Sequence, residues 1–90
     1  MGRRGKLEII RDIMGIIRDN HSIRPTPLLR KSGISSSRFR LYYDELLDKG
    51  FVKENQVDKK GSKKITLTDK GFRFLEKYKT IAEFIDEFDL

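Results

Sequence analysis

The side chains best suited to chemistry in this chain are cations. Arg38 and Arg40 stand two positions apart, directly after three consecutive serines, and four lysines surround Gly61. Guanidinium and ammonium groups bind anionic oxygens, and lysines this close repel one another unless an anion such as a phosphate lies among them. The lysine cluster consists of Lys59, Lys60, Lys63 and Lys64. Taken alone, these lysines also fit a solvated turn, so the elements around them must decide between the two interpretations.

Groups for other kinds of chemistry are scarce. The 90 residues include no cysteine and a single histidine, His21, which excludes disulfides and cysteine-bound zinc and leaves little material for a metal site. Tyr42, Tyr43 and His21 form no recognisable acid–base or nucleophile set. We therefore expect no enzyme activity, no cofactor and no metal, and so short a chain shows no obvious small-molecule pocket.

Length and composition fit one small domain with an uneven charge. The chain is 37% hydrophobic and 38% charged, with a net charge of +6. Residues 1–82 carry 20 basic and 10 acidic side chains, whereas residues 83–90 carry 4 acidic and no basic ones. The acidic tail is therefore expected either to lie away from a polyanion or to fold onto the basic flank of a partner. The sequence shows no export signal or membrane span, so we expect a cytoplasmic protein.

Two helices joined by a tight turn are predicted in the middle of the chain. Thr26 followed by Pro27 predicts the start of the first, because threonine can cap a helix and proline suits its first turn. Gly33 should end this helix after about two turns. Ser35 to Ser37 offer a cap for a second helix, which runs from Arg38 to Lys49.

The second of these helices has an apolar side and a basic beginning. Phe39, Tyr43, Leu46 and Leu47 share one stripe at helical spacing, which should face the core. The opposite side is basic in the first turns and acidic in the last, which suits a helix that enters a groove of a polyanion by its N-terminal end. The residues of that beginning are Ser36, Ser37, Arg38, Arg40 and Leu41.

A β-hairpin carries the lysine cluster. Residues 51–54 and 63–67 are predicted to be strands because apolar and polar residues alternate, and Gly61 in the connection suits a tight turn. Val52 on the first strand should face the core, as should Ile65 and Leu67 on the second. The lysines then lie on the loop and at the start of the second strand, close to the basic helix.

The first helix, predicted from Lys6 to Asp19, has a wide apolar stripe. Ile9 and Ile16 extend this stripe beyond the usual core positions. Leaving both in water would cost about 1.5 to 3 kcal/mol each, so we expect either a second subunit or the chain's own last helix to cover them.

The last helix is predicted from the capping residue Thr68 to about Phe88, a length of roughly 30 Å that matches the full width of so small a domain. Its apolar side chains recur at spacings of 4, 3, 4 and 3, as in a coiled coil, which predicts a parallel or antiparallel homodimer. A helix folded on its own core gives a similar pattern. The predicted interface comprises Ile9, Ile16, Phe74, Tyr78, Ile81, Ile85 and Phe88. Side chains predicted to pack on the body of the domain instead are Phe72, Leu75 and Ala82.

Three stretches of the chain, residues 30–35, 43–52 and 65–71, resemble the winged helix-turn-helix family. Residues 67–75 and the helix after them are similar to small archaeal DNA-binding proteins of winged-helix type that dimerise through a long C-terminal helix. The resemblance covers nearly the whole chain. It implies a three-helix core, a short strand near residues 22–24 that completes the wing sheet, two-fold symmetry, and a role in transcription control or chromosome organisation.

The expected fold is therefore mainly α with a small antiparallel β-wing (α+β): a winged helix-turn-helix with a three-helix core, a β-hairpin and a long C-terminal helix. Residues 1–5 are expected to form a flexible basic arm that either touches a groove or frays. Residues 6–67 are expected to form the DNA-binding domain, and residues 68–90 the dimerisation helix packed on it.

The expected function is binding of double-stranded DNA, with the second helix of the pair in the major groove and the wing on the backbone. Arg38 and Arg40 are the candidates for base or phosphate contact, Ser36 and Ser37 for phosphate or base edges, and Leu41 for a thymine methyl group. Contacts that ignore sequence are expected from Arg30, Lys31, Lys59, Lys60, Lys63 and Lys64. A docking module for an acidic protein partner is the alternative, because fold does not decide function.

Overall fold

The computed structural model describes residues 5–89, so residues 1–4 of the predicted basic arm lie outside the described residues. This part of the chain forms helices and one antiparallel two-stranded sheet, which is the predicted arrangement of a mainly α fold with a small β-hairpin. The elements are α1 (Lys6–Asn20), α2 (Pro25–Ser32), α3 (Ser36–Asp48), β1 (Val52–Gln56), β2 (Lys63–Leu67) and α4 (Asp69–Glu87).

Helix α1 lies at the centre of the molecule. It packs against α2, α4 and β2, and its side chains Ile13, Met14 and Ile17 are completely buried. Ile9 is only 1% exposed within a single chain, so the prediction that it faces a second subunit is wrong. Ile16 is partly buried against the same core. The wide apolar stripe of α1 is explained mainly by three neighbours from its own chain.

The corner between α2 and α3 forms at Gly33, as predicted. Gly33 has a φ of 71°, the left-handed conformation that glycine adopts without a steric penalty, and it ends α2. The Ser35 hydroxyl then accepts a hydrogen bond of 3.3 Å from the backbone N–H of Arg38 and so caps α3. The predicted start of α2 is wrong, because α2 begins at Pro25, after Arg24, and Thr26 lies inside its first turn.

The hairpin pairs β1 with β2 so that Val52 lies opposite Leu67 and Gln56 lies opposite Lys63. Strand β1 extends two residues beyond its predicted end at residue 54. The expected short strand before α2 is present as a single antiparallel bridge, in which Ile23 and Ile65 exchange backbone hydrogen bonds of 3.1 and 2.8 Å. The hairpin with its connecting loop is called the wing below.

The start of α4 is tied to the chain that enters the wing. The Thr68 hydroxyl accepts a 3.1 Å hydrogen bond from the Gly71 N–H and donates to the carbonyl of Gly50 at 2.6 Å and to that of Phe51 at 3.1 Å. Leu75 is buried one turn later, and Phe74 packs edge-to-face on Phe51 with ring centroids 5.5 Å apart.

The second half of α4 leaves the body of the domain. Every described residue from Lys79 onward is exposed, and α4 is about 28 Å long at 1.5 Å per residue. Of the three side chains predicted to pack on the body, Leu75 does so, but Phe72 and Ala82 are exposed and that part of the prediction is wrong. None of the helices between residues 5 and 89 is long and apolar enough to cross a membrane.

Candidate nucleic-acid interface

The outer surface of α3 is polar and basic at its N-terminal end. Phe39, Tyr43 and Leu46 anchor the helix in the core, and the residues on the other side remain exposed. Leu41 is 65% exposed, so its side chain is available to an apolar group such as a thymine methyl. The exposed residues of this surface include the five predicted contacts Ser36, Ser37, Arg38, Arg40 and Leu41.

The two arginines of this surface make different contacts with neighbouring side chains. The Arg38 guanidinium lies 5.9 Å from the centre of the Tyr42 ring, a cation–π contact that orients the group without neutralising it. Arg40 lies 3.6 Å from the carboxylate of Asp44, one turn later on the same helix. Among residues 5–89 no carboxylate pairs with Arg38, whereas Arg40 has to release Asp44 before it can bind another anion.

Asp58 orders the loop of the wing. Its carboxylate accepts backbone hydrogen bonds from Lys60 at 2.9 Å and Ser62 at 3.2 Å. These bonds, first that from Ser62, lower the pKa of the Asp58 carboxyl below its ordinary value. The loop therefore presents Lys59 and Lys60, both exposed, from an ordered turn.

The structure divides the lysine cluster. Lys63 belongs to the face of the wing that also carries the buried side chains of Ile65 and Leu67, because residues two apart on a strand share a face. Lys64 points to the opposite face, where it is paired with Asn55 of β1. The two lysines of β2 therefore cannot rest on the same phosphate, although their adjacency in sequence suggests a single patch.

A carboxylate between the wing and α3 was missed by the sequence analysis. The Tyr43 hydroxyl donates a 2.6 Å hydrogen bond to Glu54 Oε2, and Lys63 Nζ lies 3.5 Å from Glu54 Oε1. The hydrogen bond from Tyr43, and then the charge of Lys63, lower the pKa of Glu54. Burial first, and then this same hydrogen bond, raise the pKa of Tyr43 far above its ordinary value, so the phenol stays protonated.

Arg30 and Lys31 lie on the last turn of α2. Both are exposed, and together with Pro27 they border a shallow depression on the surface. Within residues 5–89 no group of three or more His, Asp or Glu side chains is arranged to hold a metal ion.

Residues 3–86 match the sequence pattern of the winged helix-turn-helix family. The chain belongs to that family. In winged helix-turn-helix proteins two helices joined by a tight turn form the helix-turn-helix, and α2 and α3 are these two helices. No curated protein matches the chain.

Similar solved structures include several winged-helix proteins. Sso10a-2, a DNA-binding protein from Sulfolobus solfataricus, superposes with a TM-score of 0.72 at 22% identity over 96% of this chain and 90% of its own. F-93 of SSV1 superposes with a TM-score of 0.66 at 27% identity over 89% of this chain and 91% of its own. Reduced MarR from E. coli gives a TM-score of 0.65 at 26% identity over 76% of this chain, which spans about half (51%) of MarR. The match to Sso10a-2, which covers 96% of this chain, supports the fold over nearly its whole length.

Proposed function

We propose that this winged helix-turn-helix protein binds double-stranded DNA as a homodimer, in transcription control or chromosome organisation. The observation that carries the proposal is the surface of α3. Phe39 and Tyr43 anchor this helix in the core, and its exposed N-terminal end presents Arg38, which pairs with no carboxylate of residues 5–89. A DNA-binding role also agrees with what is stated of the similar protein Sso10a-2. DNA in the cytoplasm would be the partner, and no catalytic role is assigned.

The proposed mode of binding places the N-terminal half of α3 in the major groove. Recognition helices of this kind contact base edges with their first turns. The acidic residues Asp44, Glu45 and Asp48 lie on the later turns of α3, where they stay away from phosphates. The wing, with Lys59 and Lys60 at its loop, would then reach the neighbouring backbone.

Binding to DNA is tested by a gel shift with a duplex of arbitrary sequence at low salt. A DNA-binding protein shifts such a duplex, because counterion release gives every basic DNA-binding surface some affinity for any sequence. A winged helix that docks onto an acidic protein would leave the duplex unshifted. Selection of bound duplexes from a random pool would then distinguish a regulator, which enriches a palindrome, from an architectural protein, which enriches none.

Replacing both Lys59 and Lys60 by alanine should weaken binding to every duplex alike. Each lost phosphate contact should lower the slope of log affinity against log salt concentration by about 0.9. The slopes of the wild type and of the double variant, measured by fluorescence anisotropy, would show this. An unchanged slope would remove the loop of the wing from the interface.

The dimer is proposed on the exposed apolar end of α4. Ile81, Ile85 and Phe88 are between 43% and 59% exposed and follow one another at spacings of 4 and 3. Phe84 packs against Phe88 with ring centroids 4.7 Å apart and adds to this surface, although the sequence analysis did not include it. Tyr78 borders open grooves between α1 and α4 on both sides, so a helix from a second copy has a place to lie.

Charge favours an antiparallel pair. The first half of α4 carries Lys70, Arg73, Lys77 and Lys79 against the two acids Asp69 and Glu76, a net charge of +2. The second half carries Glu83, Asp86 and Glu87 and no basic residue. In an antiparallel arrangement the acidic half of one copy lies beside the basic half of the other, whereas a parallel arrangement places like charges together. The acidic tail would then be folded onto a partner and kept from DNA.

Replacing Ile81 and Ile85 together by glutamate should convert the dimer to a monomer. Each isoleucine buried in an interface contributes about 1.5 to 3 kcal/mol, so losing both and adding charges should weaken association by well over 100-fold. Light scattering should show twice the 10.6 kDa chain mass for the wild type and the single mass for the variant. Phe72→Glu is the matched control, because Phe72 is half exposed on the far side of α4. If both variants keep the mass of a dimer, α4 is not the interface.

A further inference from the structure

Glu54 is an acidic group placed among the cations of the candidate DNA surface. It lies on β1 between α3 and the inner face of the wing, and its side chain is 27% exposed. One carboxylate oxygen accepts the hydroxyl of Tyr43 at 2.6 Å, and the other lies 3.5 Å from the ammonium group of Lys63. The charge of Arg40 also acts on this carboxylate. A phosphate that approaches this side of the wing therefore meets a cation that is already paired.

Tyr43 fixes the position of this carboxylate. The tyrosine is 1% exposed and its ring stacks on Phe39 at a centroid distance of 5.5 Å, so its hydroxyl cannot move without disturbing the core. The hydrogen bond to this hydroxyl holds Glu54 beside the middle of α3. Glu54 is thereby a fixed anionic partner for Lys63, whose own side chain is 55% exposed and free to leave the pair.

We propose that Glu54 is a positioning residue for specificity: by holding Lys63, it lowers the affinity of the wing for DNA of arbitrary sequence. The inference rests on the proposed DNA binding. Lys63 has to leave Glu54 before it can bind a phosphate. In a complex whose recognition helix is not seated in a groove, this exchange adds little to the affinity for DNA. Once the recognition helix is seated in its groove, the neighbouring phosphate is held beside Lys63 at a high effective concentration, and the exchange becomes favourable. Lys63 then adds affinity mainly to the seated complex.

Glu54→Gln tests the inference, because the amide oxygen still accepts the Tyr43 hydroxyl while the charge on Lys63 is released. The slope of log affinity against log salt concentration on arbitrary duplex should become steeper by about 0.9, the value for one added phosphate contact. This corresponds to about a threefold larger loss of affinity between 50 and 200 mM salt. The gain should be absent when Glu54→Gln is made in a Lys63→Gln background, which separates the effect on Lys63 from any effect on Arg40.

Glu45→Gln is the matched control. Glu45 has the same side-chain exposure of 27% and pairs with Lys6 at 3.0 Å and Lys49 at 2.9 Å. The substitution changes the net charge by the same amount, but it releases lysines at the late end of α3, beside α1. Its slope should equal that of the wild type.

Three results would overturn the inference: a Glu54→Gln slope equal to that of the wild type, an equal gain from Glu45→Gln, or an equal gain without Lys63. A purely structural role of Glu54 would change the melting temperature and leave the salt slope alone, so thermal unfolding of each variant is measured alongside. Failure of the proposed function itself has a different signature, since the wild type would then bind no duplex at low salt.

Discussion

Arg38→Ala is expected to weaken binding to the preferred duplex by about 5- to 150-fold, or ~1 to 3 kcal/mol, and binding to arbitrary duplex by much less. Arg38 lies in the first turn of α3, where recognition helices approach base edges. Its guanidinium is exposed and is oriented by the Tyr42 ring at 5.9 Å, and no carboxylate in the described part of the chain has to be displaced from it. A guanidinium presented in this way can donate two hydrogen bonds to the O6 and N7 atoms of guanine.

Arg38→Lys makes the test sharper, because lysine keeps the charge and loses the planar pair of donors. If Arg38 contacts a base, the lysine variant should keep most of its affinity for arbitrary duplex and lose part of its preference for the selected site. Anisotropy titrations of both variants on the two duplexes measure the difference. An equal loss on both duplexes for Arg38→Ala, with full recovery in Arg38→Lys, would make Arg38 a phosphate contact.

The parts of the fold that depend on local chemistry could be predicted from the sequence. Ser35 and Thr68 cap α3 and α4 as expected, and Gly33 ends α2 in the left-handed conformation. A capping hydroxyl accepts a hydrogen bond from a backbone N–H at most three residues away, so a cap can be recognised from a short stretch of sequence. The apolar stripe of α3 was likewise sufficient to identify its buried side.

The predicted bounds of α2 and β1 were wrong because contacts between residues far apart in the sequence determine where these elements begin and end. By local rules Thr26 and Pro27 are a better helix start than Arg24 and Pro25, because threonine can cap a helix and arginine is not a capping residue. The bridge between Ile23 and Ile65 nevertheless fixes where the chain leaves the sheet. Helix α2 then begins directly afterwards. Strand β1 continues to Gln56 through a polar stretch because its backbone pairs with β2. Backbone pairing does not require alternating apolar side chains, so the sequence pattern does not reveal it.

The roles of charged side chains depended on the register of the hairpin. Adjacent lysines look like one patch in the sequence, yet Lys63 and Lys64 lie on opposite faces because successive strand residues alternate. The same register brings Glu54 beside Tyr43, eleven residues away along the chain. A sequence pattern marked Tyr43 as a core residue, but it could not show that the hydroxyl at the edge of the core holds a carboxylate.

The wide apolar stripe of α1 illustrates a related ambiguity. The sequence shows that Ile9 needs a cover and does not say from which chain, since the free energy of burial is the same in either case. The structure supplies the cover from the same chain for Ile9 and leaves Ile81, Ile85 and Phe88 uncovered. The apolar surface left for a second copy is therefore concentrated on the end of α4.

Gly71→Ala is expected to destabilise the fold by about 1 to 3 kcal/mol, the usual cost of overpacking. A Cβ atom at this position would lie 2.3 Å from the carbonyl oxygen of Phe51 and 3.1 Å from a methyl group of Leu67. The obstructing carbonyl is backbone and also accepts hydrogen bonds from the N–H and hydroxyl of Thr68, so moving it would loosen the start of α4. This loss should outweigh the gain of up to about 1 kcal/mol that alanine brings to a helix interior.

Gly15→Ala is the matched control, since it makes the same change inside α1, where the added Cβ would meet only Arg18 Nη2 at 3.9 Å. Alanine there should stabilise the helix by about 0.5 to 1 kcal/mol. For a domain of this size, 1 kcal/mol corresponds to roughly 4 to 8 °C in melting temperature, so the two variants should shift it in opposite directions. Because Gly15 borders the groove proposed for a second copy, both are best compared in the monomeric Ile81→Glu, Ile85→Glu background. A rise in melting temperature for both would mean that α4 and Phe51 can separate at little cost, and the contact at Gly71 would then not be what holds α4 to the wing.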